Sequence, residues 1–351
     1  MYSHYRSSII SFIPMSQALG LSILSFFITS LLIVPFINFL YRLKFRRQTQ
    51  KTKDIFEKPT PIFDKLHGWK AGTPVGGGIL IIIVTTFLTL WAYAVLGIAT
   101  KPWEVFVLIF GLLSFGLLGL FDDFKKLTEV KGANFGLTFR YKFFIQWILA
   151  FIIALVFYVQ LGFDFVYIHG IGPVQIGALF VPLAAFVIVS FTNAFNITDG
   201  LDGLASGLFL ICLGAFWIIT QMGGGLDLGL AIFIAVLIGS TIAFLYFNIF
   251  PARLWLGDAG ALALGATLAV VGLLSGRMIA LAVIGGIFVV EVASSLLQLM
   301  SKRFLEKKLL PVAPFHLYLQ SKGWEEPKIV MRFWVTGFLL ALTGLFLATV
   351  N

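Results

Sequence analysis

The stretch VGGGILIIIVTTFLTLWAYAVLGI, residues 75–98, carries no charged residue and is apolar on every side when it is wound into a helix. A helix on the surface of a water-soluble protein keeps one polar face, and this stretch has none. About 20 apolar residues are enough to cross a hydrocarbon core that is ~30 Å thick. The stretch therefore predicts a membrane-spanning helix.

Nine further blocks share these properties, in a chain of 351 residues that is 59% hydrophobic and 12% charged. Such a composition is typical of integral membrane proteins. We predict an all-α polytopic membrane protein with about ten transmembrane helices. It forms a single integral membrane domain over 1–351, because the polar segments are too short for domains of their own. The expected spans are 17–41, 75–98, 104–121, 143–162, 178–196, 203–221, 228–247, 260–276, 278–300 and 333–350.

The charges predict how the chain is oriented. An even number of spans places both termini on the same side of the membrane. The alternate loops that begin with 42–74 hold 22 of the 25 Lys and Arg residues, and the other loops hold only Arg6, Lys101 and Arg277. Short cytoplasmic loops are rich in Lys and Arg, so we expect both termini to be extracytoplasmic. The net charge of +9 then reflects topology and anionic membrane lipid, and no nucleic-acid partner is expected.

Acidic side chains are scarce, and several of them fall at the predicted cytoplasmic span ends, in three separate loops. Carboxylates that converge on one membrane face suit Mg2+, which takes oxygen ligands and completes its shell with water and substrate phosphates. We therefore expect an active-site cleft on the cytoplasmic face. The acids are Asp122, Asp123, Asp199, Asp202 and Asp258.

The segment FDDFKK, residues 121–126, places two adjacent acids before Lys126. Adjacent carboxylates repel each other, which suits one of them to hold a proton or both to hold a metal, and a lysine can bind phosphate as a point charge. The alternative is a solvated helix end beside the cytoplasmic basic residues.

The segment NAFNITDGLDG, residues 193–203, places Asp199 and Asp202 three residues apart, and Asn193 and Asn196 lead back into the span. The segment contains no basic residue. A hydrogen-bonded seam between helices is one interpretation of the asparagines. Ionisable groups at membrane depth are functional candidates, however, and we interpret the missing partners as a metal and a substrate.

Two glycine-containing segments are also candidates. In RLWLGDAG, residues 253–260, the glycines beside Asp258 allow the backbone to approach a ligand, and Trp255 is either an interfacial anchor or a platform for a base. In KAGTPVGGG, residues 70–78, Lys70, Thr73 and the start of a helix could hold phosphate. Close packing of a glycine-rich helix start explains the second segment equally well.

Two titratable residues in the C-terminal third of the chain lie outside the segments described so far. His316 in APFH, residues 313–316, is catalytic or, as is more common for a lone histidine, structural. Glu291 is an acid inside a span, and the sequence does not reveal its partner.

The stretches KAGTPVGGG, FDDFKK, NAFNITDGLDGLA, FPARLWLGDAGALALG and KGWEEPKIVMRFW resemble, in this order, signatures of the polyprenyl-phosphate hexose-1-phosphate transferase superfamily. The combination of APFH with the last stretch is most similar to its phospho-N-acetylmuramoyl-pentapeptide transferase branch. The resemblance implies a Mg2+-dependent enzyme of the bacterial inner membrane that serves peptidoglycan synthesis. It would transfer phospho-N-acetylmuramoyl-pentapeptide from UDP-MurNAc-pentapeptide to undecaprenyl phosphate, giving lipid I and UMP. The resemblance also suggests a homodimer.

The resemblance implies a role for each candidate residue. Asp122 would be the base that deprotonates the lipid phosphate, and Asp258 would be the main metal ligand. The groups around the phosphates would be Asp123, Lys126 and Lys142. The nucleoside and metal cleft would be shaped by Asn196, Asp199 and Asp202, the last two as further metal ligands. The uridine would lie near Lys70, Trp255 and Gln298, with Thr73 also in the substrate site, and His316 would be a catalytic residue in the first place of a His-His-His run.

Departures from these signatures keep alternatives open. Leu317 and Tyr318 take the second and third places of the histidine run, and Ala261 stands where the family has serine. A sister transferase that uses UDP-N-acetylglucosamine and a catalytically silent scaffold are therefore alternatives. A cation-coupled transporter would also use intramembrane acids, but it predicts them near the bilayer midplane.

Overall fold

The computed structural model describes residues 2–46, 68–97, 100–128, 137–222 and 227–349. Within these ranges the chain is almost entirely helical, as the apolar blocks predict. The helices are α1 (Tyr2–Arg42), α2 (Gly77–Val95), α3 (Pro102–Thr128), α4 (Phe139–Val159), α5 (Phe180–Thr198), α6 (Leu204–Met222), α7 (Leu228–Asn248), α8 (Gly257–Leu274), α9 (Met278–Ile284), α10 (Gly286–Phe304), α11 (Phe315–Ser321) and α12 (Glu326–Thr349).

The number of long apolar helices agrees with the predicted spans. In the described part of the chain, nine helices are long and apolar enough to cross a membrane, and the bent pair α9 and α10 makes a tenth if it forms one span. The prediction of about ten spans in a polytopic helical protein is therefore confirmed.

Helix α8 lies at the centre of the bundle, and nearly all of its residues are buried. Its small residues allow this. A Cβ added to Gly265 would lie 2.7 Å from the backbone oxygen of Phe191 in α5, and a Cβ on Gly78 of α2 would lie 2.1 Å from the Cα of Gly260. Without a hydrophobic driving force between helices in lipid, such close backbone contact is what holds them together. Side chains such as Phe27 and Leu31 of α1, by contrast, are exposed as lipid-facing residues are.

The predicted span 278–300 is broken in the structure and is not one continuous helix. The chain bends by 79° between α9 and α10. A Cβ on Gly285 at the bend would lie 2.5 Å from the ring of Phe191 and 3.1 Å from the backbone oxygen of Leu281. Only glycine fits this crowded corner without a shift of its neighbours.

A small β-hairpin between α4 and α5 was not predicted. Strands β1 (Phe165–Ile168) and β2 (Gly172–Gln175) pair antiparallel, with Val166 opposite Val174. The two strands lie within the expected loop 163–177, at the end of the bundle where α4 ends and α5 begins. The candidate site lies at the opposite end.

Candidate active site

Most of the predicted site residues lie at one end of the helical bundle. Helices α3, α5 and α7 end there, and α4, α6, α8 and α12 begin there. Residues that are far apart in the sequence therefore meet at this end, where three groups of charged side chains lie side by side.

The first group, the carboxylate–lysine cluster, consists of Asp122, Asp123, Lys126, Lys142 and Asp258. Lys126 Nζ lies 3.0 Å from Asp122 Oδ2 and 2.9 Å from Asp258 Oδ2. Lys142 Nζ donates to Asp122 Oδ2 at 2.9 Å and also to Asp258 Oδ2. The two lysines thus bridge α3, α4 and α8.

The third acid of this cluster is held by the backbone of α8. Asp123 Oδ2 accepts a hydrogen bond from the backbone N–H of Ala259 at 3.0 Å. This N–H belongs to the first turn of α8, where unpaired donors and the helix dipole favour negative charge. Gly257, at φ +75°, makes the approach possible, because a Cβ there would lie 2.6 Å from Asp123 Oδ2.

The charges of the carboxylate–lysine cluster do not cancel. Three carboxylates face two ammonium groups, and the acids are nearly inaccessible to solvent, with 2% of Asp122, 3% of Asp123 and 8% of Asp258 exposed. Buried charges require compensation. One negative charge in excess gives the cluster an affinity for a cation, while its lysines can attract phosphate oxygens.

The second group, the Lys70 cluster, consists of Lys70, Asp202 and Glu326. Lys70 Nζ donates to Asp202 Oδ1 at 2.7 Å and to Glu326 Oε1 at 2.5 Å. The same Glu326 oxygen accepts the backbone N–H of Asp202 at 2.6 Å. All three residues are buried.

The interpretation that the acids of residues 193–203 lack a basic partner was therefore wrong for Asp202, because Lys70 reaches it from 132 residues away. Its second oxygen, Oδ2, accepts the backbone N–H of Ala252 at 2.9 Å, and Oδ1 also accepts Trp255 Nε1 at 3.2 Å. Both carboxylate oxygens of Asp202 thus have protein donors. The metal-ligand role of Asp202 stays a prediction.

The segment from Ala252 to Ala259 joins these two groups. The backbone N–H of Ala252 and the side chain of Trp255 donate hydrogen bonds to Asp202. Further along the segment lie Asp258 and the backbone N–H of Ala259, which donates to Asp123. Trp255 also pairs with the start of α2, where its backbone oxygen accepts the N–H groups of Gly76 and Gly77 at 3.1 and 2.8 Å. These N–H groups are occupied, so the structure supports the close-packing interpretation of the glycine run and not phosphate binding by its backbone.

The third group, the Glu291–His316 pair, supplies the partner that the sequence did not reveal. His316 Nδ1 lies 2.9 Å from Glu291 Oε2, and its backbone N–H donates to Glu291 Oε1 at 3.1 Å. Both residues are almost fully buried. The ring lies against the turn after α5, because a Cβ on Gly200 would be 2.4 Å from His316 Nε2.

The remaining predicted residues are distributed around these groups. Asn196 is half-buried in the last turn of α5, which Asp199 terminates. Thr73 is half-buried in the turn after Lys70. The side-chain amide of Gln298 exchanges two hydrogen bonds with the backbone of Leu310, so in this state it fastens the segment before α11.

The predicted metal ligands do not form a ready-made metal cage. In the described ranges, no group of three or more His, Cys, Asp or Glu side chains is arranged to hold a metal ion. This does not speak against Mg2+, which is usually bound by one or two carboxylates together with substrate phosphates and water. The donor set around Asp258 suits such a site, because it offers carboxylate oxygens and an excess negative charge.

Two members of the site were missed by sequence reasoning. Glu326 is the first residue of α12 and closes the Lys70 cluster. Glu291 contacts the ring of His316. The scarcity of acids in the sequence could have indicated both residues. An acid in or beside a membrane span is costly, and it is therefore a candidate for a functional site.

The fold defines a polytopic membrane protein with buried charged groups at one end of its helices, and comparison with known families identifies its class as a transferase. The model of the glycosyl transferase family 4 matches residues 105–276, which include the whole carboxylate–lysine cluster. A phospho-N-acetylmuramoyl-pentapeptide-transferase of Geobacillus sp. (strain WCH70) is 38% identical over 330 residues, which is 93% of this chain and 96% of the relative. Those of Oceanobacillus iheyensis (38% over 332 residues, 93% and 96%) and Chloroflexus aggregans (36% over 295 residues, 81% and 79%) are also similar.

The chain belongs to the phospho-N-acetylmuramoyl-pentapeptide transferase family. The resemblance inferred from the five sequence stretches is thereby confirmed, and the similarity extends over nearly the whole chain.

Proposed function

We propose that this protein transfers phospho-N-acetylmuramoyl-pentapeptide from UDP-MurNAc-pentapeptide to undecaprenyl phosphate, which yields lipid I and UMP for peptidoglycan synthesis. The observation that carries the proposal is the carboxylate–lysine cluster, buried at one end of an apolar helical bundle in a member of this family. A lipid phosphate can reach such a cluster from the bilayer, and a nucleotide sugar can reach it from water.

The reaction exchanges one phosphoric anhydride bond for another. An oxygen of the lipid phosphate attacks the phosphorus that carries the sugar, the bond to the second phosphate breaks, and UMP leaves with the electron pair. Little covalent chemistry is required of the protein, so positioning and charge stabilisation account for most of the rate.

Each member of the cluster has a task in this proposal. Asp122 accepts the proton of the lipid phosphate, and Lys126 and Lys142, which contact Asp122 as they contact Asp258, hold it in place. The two lysines bind the phosphate oxygens when substrate displaces their bonds to the carboxylates. Asp123 of α3 is bound by the first turn of α8, and this contact holds the two helices in a fixed relative position.

The proposed cofactor is Mg2+, with Asp258 as its main ligand. When bound, the ion neutralises the charge that develops on the transferring phosphate and on the leaving UMP. Asp258 is suited to this role because it lies in the first turn of α8, at the centre of the carboxylate–lysine cluster. Asp199 and Asp202 are proposed as additional ligands, and for Asp202 this requires exchange of its bond with Lys70.

The site end of the bundle is proposed to face the cytoplasm of the bacterial inner membrane. The loops at this end contain 22 of the 25 basic residues, and UDP-sugars are cytoplasmic substrates.

Substrate choice is tested by product analysis. Purified protein with undecaprenyl phosphate and Mg2+ is given UDP-MurNAc-pentapeptide or UDP-N-acetylglucosamine, and the lipid products are identified by mass spectrometry. We expect a lipid-linked product and stoichiometric UMP from the first substrate only.

Other outcomes of this experiment point to the competing functions. Turnover of UDP-N-acetylglucosamine alone would replace the proposal with the sister reaction. If the folded protein turns over neither nucleotide sugar, the scaffold interpretation replaces it.

A further inference from the structure

The Glu291–His316 pair is more specific than helix packing requires. Helix α11 begins at Phe315, and its N-cap residue Pro314 offers no capping side chain. The first N–H groups of a helix have no partner inside it and need one from elsewhere. Here α10 supplies both partners: Ser294 Oγ accepts the N–H of Phe315 at 3.0 Å, and Glu291 Oε1 accepts that of His316 at 3.1 Å.

The second carboxylate oxygen of Glu291, Oε2, makes a contact that capping of α11 does not require. It lies 2.9 Å from Nδ1 of the His316 ring. An ionised carboxylate only accepts hydrogen bonds, and with Glu291 in that state Nδ1 carries the proton of this contact. The other ring nitrogen, Nε2, points to Gly200, in the turn that carries Asp199 and Asp202.

We propose that Glu291 is a positioning residue that fixes His316 in the Nδ1-protonated form, so that Nε2 faces the turn with its lone pair. The same relationship between a carboxylate and a histidine orients metal-bound and catalytic imidazoles in other enzymes. The inference rests on the proposed function and on the sequence-based prediction that His316 is a catalytic residue of it, and it assigns a role to an acid that the sequence left unexplained.

Burial and a close fit describe the surroundings of the pair. Glu291 has 0% exposure and His316 has 1%, so neither residue acts as a surface charge. The turn also has no space for a side chain at position 200, because a Cβ there would collide with Nε2 at 2.4 Å. The ring thus lies between Glu291, which contacts Nδ1, and Gly200, which leaves no room for a side chain beside Nε2.

The decisive variant is Glu291→Gln. Its amide oxygen can still accept the N–H of His316 and cap α11, but its amide nitrogen donates to Nδ1 and forces the proton onto Nε2. Ser294→Ala is the matched control, because it removes the neighbouring cap from Phe315 and leaves the ring contact intact.

The ring nitrogens are observed directly by 15N–1H NMR of the histidine-labelled full-length protein in detergent, with His316→Gln to identify the signal among the four histidines. We expect a proton on Nδ1 in the wild type and in Ser294→Ala, and on Nε2 alone in Glu291→Gln. A wild-type ring that carries its only proton on Nε2 would overturn the inference. This measurement needs no activity, so it remains decisive even if lipid I synthesis is disproved.

Kinetics then separate positioning from stability. We expect Glu291→Gln to lower kcat for UMP release by at least about tenfold, the range found for residues that orient a ligating or catalytic histidine, with KM and Tm close to wild type. Ser294→Ala should keep its kcat. A wild-type kcat in Glu291→Gln, or an equal loss of kcat in Ser294→Ala, would show that Glu291 only caps α11 and does not position His316 for the reaction.

Discussion

At the residue scale, the site is built from acids and lysines at the ends of the spans. Acids and lysines at span ends are recognisable because the apolar blocks delimit them, and the structure brings Asp122, Asp123 and Asp258 together as expected. The contact between Lys70 and Asp202 joins two loops with no shared pattern, so only the folded chain reveals it. Local spacing carries no information about such long-range ion pairs.

Asp258 is expected to be essential for turnover. Asp258→Asn removes the negative charge that Lys126 and Lys142 share and the proposed main ligand of Mg2+. Loss of one well-placed electrostatic group costs about 10²–10³ in kcat. The measurement is UMP release against Mg2+ concentration.

The matched control for this change is Asp227→Asn. Asp227 caps α7 through the N–H of Leu230, at the other end of the bundle, and asparagine is an equally good cap. This variant should keep its activity. If Asp258→Asn releases UMP with the same dependence on Mg2+ concentration as the wild type, Asp258 is not a metal ligand.

Lys70 is expected to be essential for stability as well as for binding. Lys70→Met leaves the buried carboxylates of Asp202 and Glu326 without their cation, and breaking a buried ion pair in this way costs about 3–5 kcal/mol. The change is visible as a lower Tm of the detergent-solubilised protein.

Lys101→Met is the control for Lys70→Met. Lys101 pairs with Glu104 on the surface, where 76% of its side chain is exposed, and exposed pairs contribute about 0–1 kcal/mol. Equal losses of Tm in the two variants would show that the Lys70 cluster does not stabilise the fold.

At the scale of the helices, the number and type of elements could be predicted and their breaks could not. Apolar length determines where a helix can span a membrane, which is why the ten blocks correspond to nine helices and one bent pair in the part of the chain that the structure describes. Gly285 at the bend packs against Phe191 of another helix, and the hairpin β1–β2 lies in a loop with only weak strand signals. Both depend on tertiary contacts that periodicity does not describe.

The position of Asp258 depends on a glycine in α3. A Cβ at Gly119 would lie 2.1 Å from the backbone oxygen of Asp258, so Gly119→Ala must push α3 and α8 apart. Overpacking of this kind typically costs about 1–3 kcal/mol, and the displaced cluster should also lose activity. Tm and UMP release are measured together.

Gly214→Ala is the control at the element scale, because no atom lies within 4 Å of the added Cβ. Alanine also favours a helix over glycine, so its Tm should equal or exceed that of wild type. The central packing of α8 is contradicted if Gly119→Ala is as stable and as active as Gly214→Ala.

At the scale of the whole molecule, the arrangement of charge predicts a single orientation. The loops predicted to be cytoplasmic contain 22 of the 25 basic residues of the sequence, and the opposite set contains three. The structure places the charged groups at one end of the helices, which is where a water-soluble nucleotide sugar and a membrane phosphate can meet. A transporter would instead need its acids near the middle of the membrane.

The orientation is tested by labelling with a membrane-impermeant thiol reagent in intact cells. The native Cys212 is buried, so it gives little background. Single cysteines replace Lys101, expected outside, and Lys322, expected inside; both side chains are exposed. We expect labelling of Lys101→Cys in intact cells and of Lys322→Cys only after permeabilisation, and the reverse pattern would invert the topology.

The central claim is that the carboxylate–lysine cluster catalyses the transfer, and the most direct test is UMP release by the purified protein with UDP-MurNAc-pentapeptide, undecaprenyl phosphate and Mg2+. Asp122→Asn is compared with Glu104→Gln, an acid at the opposite end of α3. We expect release that requires the lipid, a loss of about 10²–10⁴ in kcat for Asp122→Asn at wild-type Tm, and full activity for Glu104→Gln. Wild-type kcat in Asp122→Asn would contradict the claim.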